Sequence, residues 1–230
     1  TKEQGVTMDL TVAGTQQIHA GAAITLQTPS AFEILIGGQG DDDLRGNNAD
    51  NLIVGGGGND KLEGRGGDDV ITGGDGADEI NGNDGNDLLI GGDGDNIIRS
   101  GMGEDVMIGG KDADIFYGGL GKNVYRYNLD TQHGQDQIYA LGGLGEDTLD
   151  FSQTTTRGVK LVLQKSMLDH VNGEGPVHMQ GVNEHLQLLL HDLQGIEAVV
   201  GTEQDDVIFG NDVNNLIDGR GGHDKLVGFK

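Results

Sequence analysis

From Leu44 onward an apolar or aromatic side chain returns at every ninth residue: Leu44, Ile53, Leu62, Ile71, Ile80, Leu89, Ile98, Met107, Phe116 and Tyr125. A nine-residue period is far from the 3.6-residue period of an amphipathic helix, and it is too long for one alternating strand. It fits a unit that makes one short strand and then turns. Three residues form the strand, the middle one pointing inward and its neighbours outward. The other six reverse the chain. Two consecutive units then make one coil, and the inward side chains of two facing sheets meet in a thin core. No unit can bury its apolar face alone, so the array must stack. The fold expected is all-β, a parallel β-roll (a solenoid of nonapeptides) with β-rich flanking and capping segments.

Ten such units run without insertion from Gly37 to Arg126, among them GGQGDDDLR (37–45), GGGGNDKLE (55–63) and GGDGADEIN (73–81). Position 1 is Gly in nine of the ten, Ser100 being the exception. Position 6 is Asp or Asn throughout: Asp42, Asn51, Asp60, Asp69, Asp78, Asp87, Asn96, Asp105, Asp114 and Asn123. The phase restarts at Gly201, where Asp206, Asn215 and Asp224 hold position 6 and Ile208, Ile217 and Leu226 hold position 8. Residues 31–64 align without gaps to 195–228, about half of the positions being identical, and GVTMDLT (5–11) and GVKLVLQ (158–164) precede the two copies. The chain therefore reads as one full module and the start of a second: an N-terminal β cap at 1–36, a first roll at 37–126, a β-rich linking and capping region at 127–200, and the second block at 201–230. In the flanks, Val6, Met8, Leu10 and Val12 alternate as in a strand. Further strands are expected at 24–26, 32–36, 159–163, 186–190 and 196–200, while His185–His191 fits either a strand or one to two helical turns. The stretch 127–152, with GQDQI (134–138) and EDTLDFS (146–152), is expected to close the open end of the first roll.

Stacking has an electrostatic consequence. Position 6 of one unit lies over position 6 two units on, one sheet spacing of about 4.8 Å away. Unscreened carboxylates in such a column repel. A cation between successive turns reverses the sign. Calcium takes 6–8 oxygen ligands, and glycine turns offer bare carbonyls beside the carboxylates, whereas Mg²⁺ demands near-ideal octahedral geometry. Imidazole enters the turns only at His223 and thiolate nowhere, so zinc and copper are not indicated. The thirteen position-6 residues named above are the candidate calcium ligands. Ten units leave up to about eight inter-turn positions in the first block. Four pairs have two carboxylates, 42/60, 60/78, 69/87 and 87/105, and are expected to bind most strongly; Asp206 and Asp224 form one pair in the second block.

Composition narrows the classes. Among 230 residues there are 44 Gly, no Cys, no Trp and a formal net charge of −24. That charge opposes nucleic acid and anionic membranes, and a chain so acidic repels itself when compact unless counter-charge arrives. No disulfide framework is possible, and no apolar run is long enough for a membrane-spanning helix. Thr1 opens without a signal-like run and Lys230 falls inside a repeat, so a fragment of a longer protein is expected. The seven histidines form no HExxH, no Walker A motif or EF-hand loop occurs, and the many G-x-G-x-x-G matches are by-products of the repeat. Catalysis is not expected. The neighbours Asp41–Asp42 and Asp205–Asp206 read as a turn ligand beside a solvated acid.

These units fit G-G-x-G-x-D-x-U-x, with U a large apolar residue, and so the sequence resembles the repeats-in-toxin (RTX) family of large exported Gram-negative proteins. DFS-x5-GVKLVL and GIEAVVG also look like the segments between such repeat blocks. The resemblance implies export through a type I secretion channel, folding outside the cell where calcium is plentiful, and ligation by position-6 side chains and turn carbonyls. It implies a structural module of a toxin or adhesin, monomeric, secreted or at the cell surface, with calcium and, during export, the secretion machinery as partners. Departures lie at Asn51, Asn96 and Asn123, at Lys111–Asp112, and at Leu120 and Lys122, which weaken the last turns. A polysaccharide-binding accessory module of a secreted enzyme such as an alginate epimerase is the alternative, but 14 Lys and Arg against 38 acids suit an acidic polymer poorly. An ice-binding roll would need a Thr or Asn ladder outside, where positions 7 and 9 are mixed. An acidic disordered linker would not keep the position-8 column.

Overall fold

Each x-U-x triplet forms a strand, and successive triplets go to opposite sheets. The computed structural model describes residues 5–11, 14–19, 22–26, 33–128, 130, 134–140, 145–156, 160–162, 177–179, 187–190, 196–210 and 214–228. The first sheet runs Thr7–Asp9, Asp43–Arg45, Lys61–Gly66, Glu79–Asp84, Ile97–Met102, Ile115–Gly119, Gln135–Ala140, Gln187–Leu190 and Val177–Met179. The second runs Ile34–Ile36, Leu52–Gly57, Val70–Asp75, Leu88–Asp93, Val106–Gly110, Val124–Arg126, Asp147–Asp150, Ile196–Val200 and Leu216–Asp218. Pairing is parallel throughout, except that Val177–Met179 lies antiparallel to Gln187–Leu190. Like pairs with like: Leu44 with Leu62 and Ile53 with Ile71. Pairing also continues past the triplet into the turn, as in Gly56 with Gly74, because bare glycines let the backbones approach.

The stretch expected to close the first roll instead adds a rung to each sheet. Gln135–Ala140 pairs with Ile115–Gly119, and Asp147–Asp150 pairs with Val124–Arg126. Ile196–Val200 and then Leu216–Asp218 extend the second sheet further. Gln187–Leu190 is a strand, which settles the open choice there, while His185 and His191 lie outside the described residues. At the other end Thr7–Asp9 stacks on Asp43–Arg45, and Arg65 clamps it through two hydrogen bonds to Asp9 of 2.8 and 2.9 Å. Gly14–His19 and Ala22–Leu26 form a separate hairpin. A third sheet joins Lys160–Val162, Val207–Phe209 and Lys225–Val227. Among the described residues no helix is long and apolar enough to cross a membrane.

The core is the position-8 column, from Leu44 to Tyr125 at most 1% exposed. It widens at its far end into an aromatic cluster. Phe116 meets Tyr125 edge-on at 6.0 Å and Tyr127 stacks on Phe151 at 5.7 Å.

The two outer faces differ in kind. Outside the first sheet, the pairs Arg45–Glu63, Lys61–Glu79 and Arg99–Glu79 link neighbouring rungs, Arg45 also pairs with Asp43 in its own strand, and Ile97 and Ile115 hold position 7 of the later rungs. Next to them Arg99 lies over the Tyr117 ring, which stacks on Tyr139 at 4.8 Å. Outside the second sheet, the position-7 row reads Ile34, Leu52, Val70, Leu88, Val106 and Val124, and the position-9 row reads Ile36, Val54, Thr72, Ile90 and Ile108. Charge first enters there at Arg126, which pairs with Asp150 at 2.9 Å.

Candidate metal sites

Glycine places the ligating atoms. At position 2 of successive turns, Gly56, Gly74, Gly92 and Gly110 have φ between 110° and 131°, and a Cβ on any of them would collide with the carbonyl oxygen of the glycine one coil earlier. Position 4 behaves alike at Gly76, Gly94 and Gly103. The turns are therefore stacked so closely that their carbonyls form columns. Beside these columns stand the position-6 side chains. Each sends Oδ1 back along the column, where it accepts the N–H of the position-6 residue one coil earlier. Asp42 N–H donates to Asp60 (2.7 Å), Asn51 to Asp69 (2.7 Å), Asp60 to Asp78 (2.8 Å), Asp69 to Asp87 (2.8 Å) and Asp87 to Asp105 (2.9 Å). Asp78 and Asn96 donate on to Asn96 and Asp114, both at 3.0 Å.

The second carboxylate oxygen is the unusual one. In Asp60, Asp69, Asp78, Asp87, Asp105 and Asp114 it is buried and accepts no hydrogen bond. In all of these but Asp105, whose unit opens with Ser100, it lies against the position-1 glycine, in space that a Cβ would take, and for Asp60, Asp78 and Asp87 the position-1 carbonyl of the following coil lies close by. A buried carboxylate oxygen without a donor requires a cation or a proton. Burial, with neighbouring carboxylates adding to it, pushes Asp60 and Asp87 up to about 6 and Asp69 up to about 7, and burial raises Asp78 and Asp105 as well. Asp114, beside Asp136, is pushed up to about 8. All available donors are oxygens, which suits a hard cation such as calcium. Among the described residues no three His, Asp or Glu side chains converge, so a metal here must draw on the carbonyls for much of its shell.

The remaining candidates differ locally. Asp42 Oδ1 accepts the Val6 N–H, the N-terminal strand standing in for the missing earlier coil, and its Oδ2 accepts Gly38 N–H at 2.6 Å. Asn51 accepts Asn47 N–H at 2.8 Å. The Asn96 amide donates to the Gly94 carbonyl (2.9 Å) and the Asn123 amide to the Gly118 carbonyl (2.8 Å), so at both turns an N–H points at an oxygen of the cradle. Asp105 N–H reaches Asn123 only at 3.4 Å. In the second block Asp206 N–H donates to Asp224 at 3.0 Å, in the third sheet, whereas Asn215 belongs to the edge of the second sheet. The two parts of that block do not share one column.

Two residues that the nonapeptide phase misses continue the columns. Asp136 accepts Asp114 N–H at 2.9 Å across 22 residues, and Asp147 accepts Asn123 N–H at 2.8 Å across 24. Both are buried, and burial lifts Asp136 to about 7 and Asp147 to about 6. The signal for them is the D-x-U triplet, Asp136-Gln137-Ile138 and Asp147-Thr148-Leu149, the same order as Asp60-Lys61-Leu62. Asp147 Oδ2 accepts the Tyr125 hydroxyl at 3.2 Å, so a phenol donor fills that position. Position 5 does more than meet solvent. Asp41 accepts the Asn59 N–H (3.0 Å), Asp50 the Asp68 N–H (2.8 Å) and Asp205 the His223 N–H (2.8 Å), so these acids brace the next coil as well as meeting solvent.

Fold and oxygen columns together define a class, the parallel β-roll with acidic glycine turns. Within it, the chain belongs to the family of the RTX calcium-binding nonapeptide repeat, which matches four copies at a time at 36–71, 54–89, 63–98, 72–107, 90–125 and 194–228, more than half of the chain. Comparison with the curated proteins finds no match. The protein is thus a calcium-binding repeat module of an exported, extracellular family, and what defines that family is calcium binding in a structural repeat, not a reaction.

Proposed function

We propose that the module is a calcium-triggered folding unit of a larger exported toxin or adhesin. It leaves the cell through a type I channel as an extended chain and folds once calcium fills its turns. The observation that carries this reading is the row of buried, donor-less Oδ2 atoms, which penalises the folded state until a cation arrives. Binding free energy then becomes folding free energy. Extracellular-type calcium sites have dissociation constants of about 10⁻⁴–10⁻³ M, far above cytosolic calcium.

Asp60, Asp69, Asp78, Asp87, Asp105 and Asp114 are the principal ligands on this reading, with Asp206 and Asp224 in the second block and Asp42, Asn51, Asn96, Asn123 and Asn215 in supporting roles. The pairs 60/78, 69/87 and 87/105 fill first, joined by 42/60 once Asp42 exchanges its Gly38 partner for the ion. Positions next to Asn96 and Asn123 fill last, because the amide hydrogen bonds compete. About four strong ions, and up to about eight, are expected in the first block.

A calcium titration followed by far-UV circular dichroism and hydrodynamic radius tests the proposal. A cooperative coil-to-β transition with compaction, in the sub-millimolar to millimolar range and not reproduced by magnesium, is the expected result. A compact β protein in chelator at pH 8 would sink it. Asp78→Ala, counted by equilibrium dialysis, is expected to lose more than one ion, since Asp78 faces two inter-turn positions; loss of one alone would contradict shared ligands. Asn96→Asp is expected to tighten the weakest step of the titration about tenfold or more, by replacing a competing N–H with a carboxylate oxygen. An unchanged titration would show that the amide does not block the site.

A further inference from the structure

The turn that runs from Gly118 to Asn123 departs from the others at the atom that faces the ion. In the units of Asp60, Asp69, Asp78, Asp87 and Asp114, a Cβ on the position-1 glycine would run into the position-6 Oδ2. On Gly118 the same Cβ would run into the Tyr125 hydroxyl. The hydroxyl therefore stands where those units hold a carboxylate oxygen. It donates to Asp147 Oδ2 at 3.2 Å, and the Asn123 amide donates to the Gly118 carbonyl at 2.8 Å. Nearer solvent, Lys122 pairs with Glu146 across the same two coils at 2.9 Å. Two other units act as controls. Phe116, at position 8 of the preceding unit, also reaches its position-1 glycine, and a Cβ on Gly109 would come within 2.8 Å of the ring tip. That ring carries no hydroxyl, position 6 is Asp114, and Asp114 Oδ2 keeps its usual place without a donor. At Asn96 an amide again donates to the cradle, but position 8 is Ile98, and Asp114 Oδ2 one coil on is left donor-less.

We propose that Tyr125 and Asn123 close this column to calcium: the Tyr125 hydroxyl plugs the position between the Asn123 and Asp147 turns, and hydrogen bonds join the two coils there in place of an ion. This rests on the calcium reading of the other position-6 aspartates. A buried carboxylate oxygen needs a donor or a cation, and Asp147 has its donor. A phenol with an ordinary pKa near 10 is neutral at pH 7, so it adds no charge for an ion to neutralise. An ion entering here would displace a buried hydroxyl and break the amide bond to Gly118. It would find one carboxylate where the all-aspartate positions offer two. Tyrosine at position 8 and asparagine at position 6 belong together, because an aspartate Oδ2 and the hydroxyl would claim one place. Tyr125 is wholly buried and packs edge-on against Phe116, which fixes the reach of the hydroxyl. The plug stands where the strict period ends, at the step of 24 residues from Asn123 to Asp147. Tyr125 thereby sets where the run of ions in this column stops.

Equilibrium dialysis in saturating calcium tests the plug, with Asp78→Ala as the reference. Asp147→Asn is expected to leave the number of bound ions unchanged, although Asp147 continues the carboxylate column. Asn123→Asp combined with Tyr125→Phe rebuilds the arrangement of Asp114 and Phe116. It is expected to bind one ion more than Asn123→Asp alone, the control for the strengthening of the position shared with Asp105. Circular dichroism in calcium verifies the roll in each variant. Loss of an ion in folded Asp147→Asn, or equal counts for the double and the single variant, would overturn the plug. If the double variant does not fold, Asp147→Asn decides by itself. An Asp78→Ala protein that keeps every ion would instead remove the calcium reading beneath it.

Discussion

Stripped of calcium by chelator, the protein is expected to gain β-structure and compact as the pH falls from 8 to 5. An ordinary salt-bridged aspartate is held below its unfolded value and loses stability on acidification. The position-6 carboxylates behave oppositely. Asp60 and Asp87 are pushed up to about 6, Asp69 to about 7 and Asp114 to about 8, chiefly by burial. An unfolded aspartate titrates near 3.9. Between about pH 4 and 8 the folded chain therefore binds more protons than the unfolded one, and its stability falls as the pH rises. A proton on Oδ2 does, without metal, part of what a cation does there. In saturating calcium the dependence inverts on the acid side, because protons then compete with the ion. Circular dichroism against pH, with and without chelator, checks this, and Asp69→Asn with Asp87→Asn is expected to flatten the metal-free curve. A chelated chain as unstructured at pH 5 as at pH 8 would refute the account.

Gly74→Ala is expected to be among the most damaging single-methyl changes in the molecule. Gly74 sits at φ +123°, and an added Cβ would come within 2.8 Å of the Gly56 carbonyl carbon. Neither side can yield, since the parallel ladder pins Gly74 between Gly56 and Gly92. Backbone strain of this kind costs of order 1–3 kcal/mol, and forcing two rungs apart adds to it. A total near 4 kcal/mol is expected, with loss of the ions on both sides. Gly38→Ala makes the same chemical change at the same repeat position, but nothing lies within 4 Å of the added Cβ. It should change stability by less than about 1 kcal/mol. Urea unfolding in saturating calcium distinguishes the two; equal costs would mean that glycine acts through the unfolded state alone. Arg65 and Asn83 adopt the position-2 turn at φ 84° and 79°, nearer the left-handed region open to side chains. The other column of turns thus admits what Gly74 does not.

Much of this architecture was legible in the residues. The position-8 column specified the core, and the position-6 column specified which carboxylates would line up. Both follow from a strict period, and a period survives translation into three dimensions because every coil is the same object. What escaped is where the period breaks. Asp136 and Asp147 occupy coils of 22 and 24 residues, so counting by nines passes over them although the ladder does not. The insertions leave the sheet register intact because they leave it at the turns. The aliphatic outer face escaped for another reason. Taken together, positions 7 and 9 look mixed; sorted by alternate units, Lys61 and Glu63 separate from Leu52 and Val54, and the charged residues up to Arg99 all fall on the first-sheet face, which also holds Ile97 and Ile115. The hydrogen bonds at Asn96 and Asn123 had no sequence signature beyond the substitution itself.

That alternation sets the step by which such a chain can be edited. Nine residues restore every glycine and every carboxylate, so deleting a single unit keeps the calcium motif in phase. The same deletion moves every later strand to the opposite sheet, and the aliphatic and ion-paired faces change sides at the junction, leaving both striped. Eighteen residues restore the faces as well. Gene duplications or engineered truncations that preserve surface behaviour should therefore come in pairs of units, and an odd-unit variant that still folds would be a patchwork roll, with half of its aliphatic strip transferred to the other side.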